Sequence, residues 1–401
     1  MPLPTPFYPR LAPACDTNQW RNWSGYDCPV QYDDSLDREY FAFRNSAGLL
    51  DVSPLYKYDI IGKDAEKLLD RMMTRNIRKL KIGQVAYCPW CDEQGELIHD
   101  GNLVRMSPNH FRLTAADPVL RWLEDVGYAM DVKIRDVSQE VAGLALQGPN
   151  SRAILQQAMQ GIDFNRLPYF GMAHGTLDGH AVMVTRTGFT GDLGYELWLN
   201  PQSALPIWDR LMEIGRGYGL LPVGLGALDM VRVEAGLVLI GVDYISAPFT
   251  VIDAQRSNPF EAGMGKLVRF EKESDFIGKA ALHKVAAAPE WQLVGLTVAW
   301  HELERLWNAV DLRPTLVGRG TSRQAVPVFA AGSNSASQIG QMTSHLFSPL
   351  LKQYIGLGTL KTEHATFGTQ VEVEMTVEYS RVLATATLVP LPFYEPAWKK
   401  S

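Results

Sequence analysis

One stretch of the chain, residues 186–199, combines a glycine-rich turn with a carboxylate and a large aromatic side chain. It reads RTGFTGDLGYELWL. Glycines in such a turn let a ligand or a second backbone approach closely. The residues after the turn have the period of a strand, which puts Glu196 and Trp198 on one face and Tyr195, Leu197 and Leu199 on the other. This pattern suits a flat heterocycle with N–H donors along one edge, and it also fits a hairpin with a solvated glutamate.

Asp100 is the second candidate for chemistry. It ends the segment 95–100, which reads GELIHD. In a regular strand Asp100 shares a face with Ile98, and a carboxyl group among apolar neighbours can serve as a proton acceptor or an electrostatic anchor. The alternative is an aspartate that begins a turn at Asp100-Gly101, and the residues alone leave both interpretations open.

Other motifs give less support for chemistry. Cys88 and Cys91 have the CxxC spacing of redox or metal sites, but they lie in a strand-like run, so we predict structural thiols. The eight histidines are scattered without a pair at helical spacing, and we expect no metal site. The glycine-rich segments 215–219 and 224–226 lack the context of a dinucleotide loop. The sequence also contains no nucleophile elbow of the GxSxG type.

The composition is that of a soluble globular chain. Its 401 residues suffice for two or three domains, and 46% of them are hydrophobic and 20% charged. The net charge of -6 and the lack of a dense basic stripe indicate no nucleic-acid partner. No run is long enough to span a bilayer, and prolines interrupt residues 1–16 where a signal peptide needs a continuous apolar segment. We therefore expect a cytoplasmic protein that has no membrane partner.

Helical and strand-like patterns alternate up to about residue 286. Residues 1–35 are rich in proline, aspartate and tryptophan and predict an extended arm, whereas residues 35–50 predict a helix capped by Ser35. From residue 291 onwards, short β-type runs between glycine-, serine- and proline-containing stretches predict an all-β C-terminal domain. The runs are 293–298, 326–329, 354–357, 371–377 and 382–389.

Seven motifs occur in an order typical of one family. From about residue 36 to residue 395, the chain resembles the T-protein (aminomethyltransferase) family of the glycine cleavage system and its relatives, the tetrahydrofolate-dependent demethylases. The motifs are DVSP at 51–54, GELIHD at 95–100, LQGP at 146–149, RTGFTGDLGYEL at 186–197, GLGALDMVRVEAG at 224–236, NPFEAGMGKLV at 258–268 and DFIGKAAL at 275–282.

The resemblance implies an α+β fold, a three-domain cloverleaf around a central folate cavity. Residues 1–50 and 140–245 are expected to form a discontinuous, folate-binding α/β domain. Residues 51–139 and 246–288 are expected to form a second α/β domain, and residues 289–401 a β-barrel-like domain.

The resemblance also assigns site residues. Asp100 falls at the position of the family's catalytic aspartate, and Glu196 at that of a glutamate that holds the pterin. Tyr87 falls at the position of a folate-contacting tyrosine. Thr114 and Phe189 fall at folate-contacting positions where T-proteins more often have asparagine and tyrosine.

Two further side chains are expected near folate. Trp198 would supply an apolar wall, together with Tyr87. Arg232 is a candidate for the glutamate tail of folate, although an arginine inside a helix also pairs with nearby acids such as Asp229 or Glu234.

The departures from the family favour one activity within it. T-proteins usually have arginine where this chain has Leu228, and often Phe-Tyr-Arg where it has Phe-Tyr-Glu at 393–395. The segment VDYISA at 242–247 is closer to the demethylases. We therefore expect methyl transfer from a small methylated donor to tetrahydrofolate. The donor stays open among a sulfonium, a quaternary ammonium and an aryl methyl ether.

Two alternatives to demethylation remain. One is a true aminomethyltransferase, which needs a lipoyl carrier protein as partner. The other is a folate-binding regulatory or assembly protein without turnover.

Overall fold

Helices and strands alternate through the first two thirds of the chain, and strands dominate the last third. The computed structural model describes residues 2–316, 318–332 and 337–400. The helices in these ranges are α1 Tyr8–Ala14, α2 Leu36–Asn45, α3 Ala65–Met72, α4 Leu120–Val126, α5 Ser151–Ala158, α6 Ala204–Gly215, α7 Leu225–Glu234, α8 Lys279–Val285 and α9 Trp300–Asn308. The strands are β1 Gln19–Trp23, β2 Tyr26–Gln31, β3 Ala47–Asp51, β4 Tyr56–Ile61, β5 Val85–Cys91, β6 Leu97–Ser107, β7 His110–Ala115, β8 Lys133–Asp136, β9 Ala142–Gln147, β10 Met159–Gln160, β11 Met172–Leu177, β12 His180–Thr185, β13 Gly194–Leu199, β14 Leu220–Pro222, β15 Trp291–Val298, β16 Val326–Ala330, β17 Gln338–Ser348, β18 Gln353–Lys361, β19 Gln370–Val377 and β20 Ser380–Val389.

These strands form two sheets, a closed barrel and the β1–β2 hairpin. The seven-stranded sheet has the order β10-β11-β12-β13-β9-β3-β14, and its β3–β14 pair is parallel. The five-stranded sheet has the order β5-β6-β7-β4-β8 and is antiparallel. The barrel runs β15-β18-β17-β16-β19-β20 and closes where β20 pairs with β15. The predicted α+β fold with two α/β domains and a C-terminal barrel is confirmed.

Apolar side chains divide between the two faces of each sheet because residues along a strand alternate in direction. One face of the seven-stranded sheet packs on α1, α5 and α6, and one face of the five-stranded sheet packs on α3 and α4. The opposite faces of both sheets contribute to a third group, the central cluster. The central cluster includes Trp198, Tyr244 and Met264, and Tyr87 and Leu228 pack against it.

Main-chain hydrogen bonds join the two sheets beside this cluster. The amide of Val85, at the start of β5, donates to the carbonyl oxygen of Phe170 at 2.8 Å. The amide of Met172, at the start of β11, donates to the carbonyl oxygen of Gly83 at 2.7 Å. An antiparallel bridge lies between these two bonds. The sheets are therefore held together at the edge where β5 begins.

Two of the predicted elements were wrong, and one helix was missed. Residues 1–35 are not an extended arm, because they form α1 and the β1–β2 hairpin. Phe7 and Leu11 are fully buried and anchor α1 on the fold. The helix predicted over 35–50 ends at Asn45, and the apolar run after it is β3, buried on both faces. Such a run cannot be distinguished from a helix by its period. The C-terminal domain also contains the amphipathic helix α9, which the sequence-based prediction missed.

Lys57 ties together the two chain segments that cross between the sheets. Its side chain is completely buried, and Nζ donates to the carbonyl oxygens of Ser53 at 2.7 Å and Val141 at 2.9 Å. Ser53 follows β3, and Val141 precedes β9. Burial lowers the pKa of Lys57 to about 7, against the opposing effect of Asp51.

This low pKa makes Lys57 a source of pH-dependent stability. Above pH 7 the folded protein releases the Lys57 proton, whereas the unfolded chain holds it until near pH 10, so the free energy of unfolding rises with pH over this interval. From pH 6.5 to pH 9, wild type should gain about 2 kcal/mol relative to Lys57→Met. Urea unfolding at both pH values measures the difference. Lys63→Met, which alters an exposed lysine, should run parallel to wild type, and a Lys57→Met curve parallel to both would contradict the assignment.

Candidate functional site

A β-bulge in β6 determines where the Asp100 side chain lies. Trp90 pairs with His99, but the next residue of β5 pairs with Leu97, so Ile98 is an extra residue in β6. Ile98 packs beneath the five-stranded sheet with Trp90, on whose ring His99 stacks at a centroid distance of 5.2 Å. Asp100 lies on the opposite face. The expectation that Ile98 and Asp100 share a face was therefore wrong, because the bulge shifts the alternation.

Two tyrosine hydroxyls hold the Asp100 carboxylate. Tyr87 donates to Oδ2 at 2.8 Å, and Tyr244 donates to Oδ1. Burial and the charge of Asp100 raise the pKa of both tyrosines well above the ordinary value, so both remain protonated donors. In the part of the chain that the structure describes, no lysine or arginine nitrogen lies within 4.0 Å of this carboxylate. The nearest basic side chain among the described residues is His99, whose Nδ1 lies 4.0 Å from Oδ1, so the carboxylate is held mainly by the two hydroxyl donors.

Tyr244 was missed by the sequence-based prediction. Its hydroxyl contacts a residue 144 positions earlier, and no local pattern reveals such a contact. The only available signal was the segment 242–247, which resembled the demethylases without giving Tyr244 a role.

Glu196 is buried on β13 and has one carboxylate oxygen left for a ligand. Thr187 donates to Oε2 at 2.6 Å, and Thr185 lies 3.5 Å from the same oxygen. The other oxygen, Oε1, accepts no hydrogen bond from any described residue. Burial raises the pKa of Glu196, and the two threonines offset this in part. A donor that reached Oε1 would compensate for the lost hydration.

Trp198 lies two residues further along the same face, as the strand period predicted. Its indole Nε1 donates to Thr185 Oγ1 at 3.2 Å, and its six-membered ring covers Gly143, where a Cβ atom would lie 2.8 Å from the ring. Trp198 belongs to the central cluster, whereas Tyr195 and Leu197 belong to the cluster on the other side of the sheet. The predicted separation of faces on β13 is confirmed.

The glycine-rich turn before β13 wraps around a side chain. Gln147 is 1% exposed, and its Nε2 donates to the carbonyl oxygens of Thr187 at 3.1 Å and Tyr195 at 3.3 Å. A Cβ atom would lie 2.0 Å from Gln147 Oε1 at Gly188 and 2.1 Å at Gly194. The expected close approach therefore involves Gln147, which fixes the turn that carries Thr187 to Glu196.

We expect Gly194→Ala to destabilise the fold and disturb Glu196 together. The added methyl group must displace Gln147 from its bonds, which should cost about 2 kcal/mol and lower the melting temperature by several degrees. Differential scanning fluorimetry measures this. Gly217→Ala is the control because its Cβ would meet open space. Equal melting temperatures for the two variants would show that Gln147 adapts without cost.

Thr114 and Phe189 lie at different parts of the site. In the five-stranded sheet, Tyr87 pairs with Asn102 and Asn102 pairs with Thr114, which puts all three on the Asp100 face. Phe189 is half-buried in the turn that follows β12. The sheet thus brings Thr114 to the same face as Asp100, whereas Phe189 lies in the turn between β12 and β13, the strand that carries Glu196.

Arg232 is 1% exposed, and its guanidinium group is hydrogen-bonded to other residues of the protein. It donates to Asp229 at 2.9 Å, to Ser344 on β17 at 2.7 Å, and to Leu237 and Asp243. This geometry favours the pairing with Asp229 over a contact with a folate tail. Glu234 instead accepts hydrogen bonds from Tyr40, Arg44 and Ser348.

The cysteines are free thiols inside the fold. Cys88 and Cys91 are fully buried, and burial raises the pKa of Cys88 to about 12 and that of Cys91 further. Across residues 2–316, 318–332 and 337–400, no group of three or more potential metal ligands could hold an ion. In the same ranges, no helix is long and apolar enough to cross a bilayer.

The comparisons with known proteins agree over most of the chain. Residues 16–272 match the family model of the GCVT N-terminal domain, and residues 310–395 that of the glycine cleavage T-protein C-terminal barrel domain. The aminomethyltransferase of Halothermothrix orenii is 35% identical over 374 residues, which cover 92% of this chain and 94% of the relative. The trimethylamine-oxide aldolase of Ruegeria pomeroyi is 34% identical over 369 residues, which cover 89% of this chain and 43% of the relative. The crystal structure of the glycine cleavage system aminomethyltransferase T from Bartonella henselae superposes with a TM-score of 0.81 at 25% identity, covering 98% of this chain and 99% of that one.

Proposed function

The chain belongs to the glycine cleavage T-protein family, and we propose that it moves a methyl group from a small methylated donor to N5 of tetrahydrofolate, giving 5-methyltetrahydrofolate. The observation that carries the proposal is the Asp100 carboxylate, whose two oxygens accept hydrogen bonds from Tyr87 and Tyr244, with no lysine or arginine nitrogen of the described residues within 4.0 Å. Such a charge stabilises positive charge that develops at a nearby nitrogen or is already present on a donor.

Glu196 fits the pterin of the folate. The Glu196 carboxylate has one oxygen that no described residue bonds, and the pterin edge presents adjacent N–H groups that can donate to it. Trp198, on the same face of β13, provides an apolar surface of suitable size for the ring. Tyr87, Thr114 and Phe189 are proposed to contact folate on the neighbouring sides.

Asp100 and its tyrosines would act at the reacting atom. Tetrahydrofolate, when bound, supplies N5, the atom that receives the methyl group. Asp100 accepts the proton that N5 loses, while the bonding electron pair of the old methyl bond leaves with the donor. Because methyl transfer is an in-line displacement, the remaining contribution of the protein is positioning and exclusion of water.

The side chain at position 228 supports a methyl donor over an aminomethyl carrier. Leu228 packs against the central cluster, where most T-proteins would have an arginine. Glu395 stands at the second position where T-proteins often have an arginine, and it forms ion pairs with Lys399 and Lys400. A donor that bears no anionic group at these positions needs neither arginine. An aminomethyltransferase that uses a lipoyl carrier protein is the second candidate, favoured by the full-length similarity to the Halothermothrix orenii enzyme.

One assay separates the candidates. The protein is incubated with tetrahydrofolate and, in separate reactions, a sulfonium, a quaternary ammonium and an aryl methyl ether, and folate products are identified by mass spectrometry. Formation of 5-methyltetrahydrofolate supports the proposal and identifies the donor class. Methylenetetrahydrofolate formed only with an aminomethyl-lipoyl carrier establishes the second candidate. Folate binding without either product would contradict both and leave a binding protein.

A further inference from the structure

Side chains from distant parts of the sequence meet at Asp100. Tyr87 lies on β5 of the same sheet, but Tyr244 lies in the segment between α7 and α8 and is 4% exposed. Each tyrosine donates to a different carboxylate oxygen. One donor leaves a carboxylate free to rotate about its last torsion, whereas two donors fix its plane.

Asp243, the residue before Tyr244, connects this contact to the barrel. Its side chain is completely buried, and Oδ1 accepts hydrogen bonds from Thr343 and Ser344 on β17, both at 2.6 Å. Its other oxygen, Oδ2, accepts from Arg232 on α7. The Asp243 carboxylate is thus bound on one oxygen by the barrel and on the other by the helix that precedes it.

Hydrogen bonds within residues 239–244 restrain the backbone that carries Asp243 and Tyr244. The amide of Leu239 donates to Asp243 Oδ2 at 2.8 Å, and the amide of Gly241 donates to the carbonyl oxygen of Tyr244 at 2.8 Å. The backbone from 239 to 244 is therefore closed on itself. A shift of the Asp243 carboxylate must move the tyrosine that follows it.

We propose that Tyr244 is a positioning residue for Asp100 and that the barrel hydroxyls of Thr343 and Ser344 aim it through Asp243. The inference deepens the proposed function, since it rests on Asp100 acting in turnover. It assigns the C-terminal domain a role in orienting the reacting carboxylate in addition to its role in the fold. If the same hydrogen bonds only stabilised the barrel interface, their loss would affect turnover independently of Tyr244.

A double-mutant cycle separates these cases. Tyr244→Phe should lower kcat by about ten-fold, with the KM for the donor and the Kd for tetrahydrofolate within about two-fold of wild type. Thr343→Val, which removes one hydrogen bond to Asp243, should lower kcat by about three-fold. The double variant should match Tyr244→Phe alone, because the barrel has no route to Asp100 once the hydroxyl is gone. Tyr58→Phe is the control for loss of a buried hydroxyl, since Tyr58 binds Val119 on the far face of the sheet.

Independent effects of the two substitutions on kcat would overturn the proposal, and so would wild-type kcat in Tyr244→Phe. If wild type forms no methylated folate, that result refutes the proposed function but does not test the positioning role. The positioning role is then tested by structure. Crystal structures of the variants should then show the Asp100 carboxylate rotated in Tyr244→Phe and Thr343→Val but not in Tyr58→Phe. An unchanged Asp100 in all three would overturn the positioning role.

Discussion

Asp100→Asn should bind tetrahydrofolate within about three-fold of wild type and reduce turnover by at least about 100-fold. Asparagine keeps the shape of the side chain and can still accept a hydrogen bond from one tyrosine. It loses the negative charge, and it cannot take the proton released from N5. Because Glu196 and not Asp100 is expected to hold the pterin, the loss should appear in kcat and not in folate affinity.

The control for Asp100→Asn is a carboxylate elsewhere in the five-stranded sheet. Asp59 lies on β4 and is bound by Arg112 at 2.7 Å, so Asp59→Asn removes a charge that has its own cation. Its turnover should stay within about two-fold of wild type. Single-turnover mass spectrometry with saturating folate distinguishes the two. Comparable turnover in Asp100→Asn and wild type would remove Asp100 from the reaction.

Glu196→Ala should weaken tetrahydrofolate binding by roughly 100-fold, because the charge-assisted hydrogen bonding between the pterin edge and this carboxylate is lost. Glu196→Gln, which keeps one acceptor oxygen, should fall between wild type and alanine. Isothermal titration calorimetry measures all three. The exposed Glu140, paired with Arg135, provides the control variant Glu140→Ala with wild-type affinity. Unchanged affinity in Glu196→Ala would return Glu196 to a structural role.

The affinity of wild type should also depend on pH in a defined direction. Burial raises the pKa of Glu196, so the carboxyl group of the free protein takes up a proton at higher pH than an ordinary glutamate does. The pterin edge requires the ionised form, and affinity should therefore fall as pH decreases through the raised pKa. In Glu196→Gln this dependence should disappear.

The sequence was sufficient for features that depend on local period or on motif order. The alternation along β13 correctly separated Glu196 and Trp198 from Tyr195, because successive side chains of a strand point to opposite faces. Short β-type runs predicted an all-β C-terminal domain, and the family resemblance implied that it is barrel-like. The run that became β3 was misassigned, since an apolar segment buried on both sides has no period to read.

The parts that the sequence could not provide are those that depend on long-range contacts. The bulge at Ile98 is fixed by the pairing of β5 with β6, and Tyr244 reaches Asp100 from a separate segment. The glycines around Gln147 suggested space for a ligand, but the space is filled by a side chain from another strand. Arg232 was a candidate for the glutamate tail of folate or for pairing with a nearby acid, and neither interpretation could include its partner Ser344 on β17, which is 112 residues away.

The backbone bonds between the start of β5 and the start of β11 limit how ligands exchange. A clamshell opening of the two α/β lobes would have to break the bonds from Val85 and Met172, and each break would leave amide groups without partners. We therefore expect ligand entry and product release to involve loops and side chains more than separation of the lobes. The amide protons of Val85 and Met172 should accordingly exchange with solvent slowly, whether or not ligand is present.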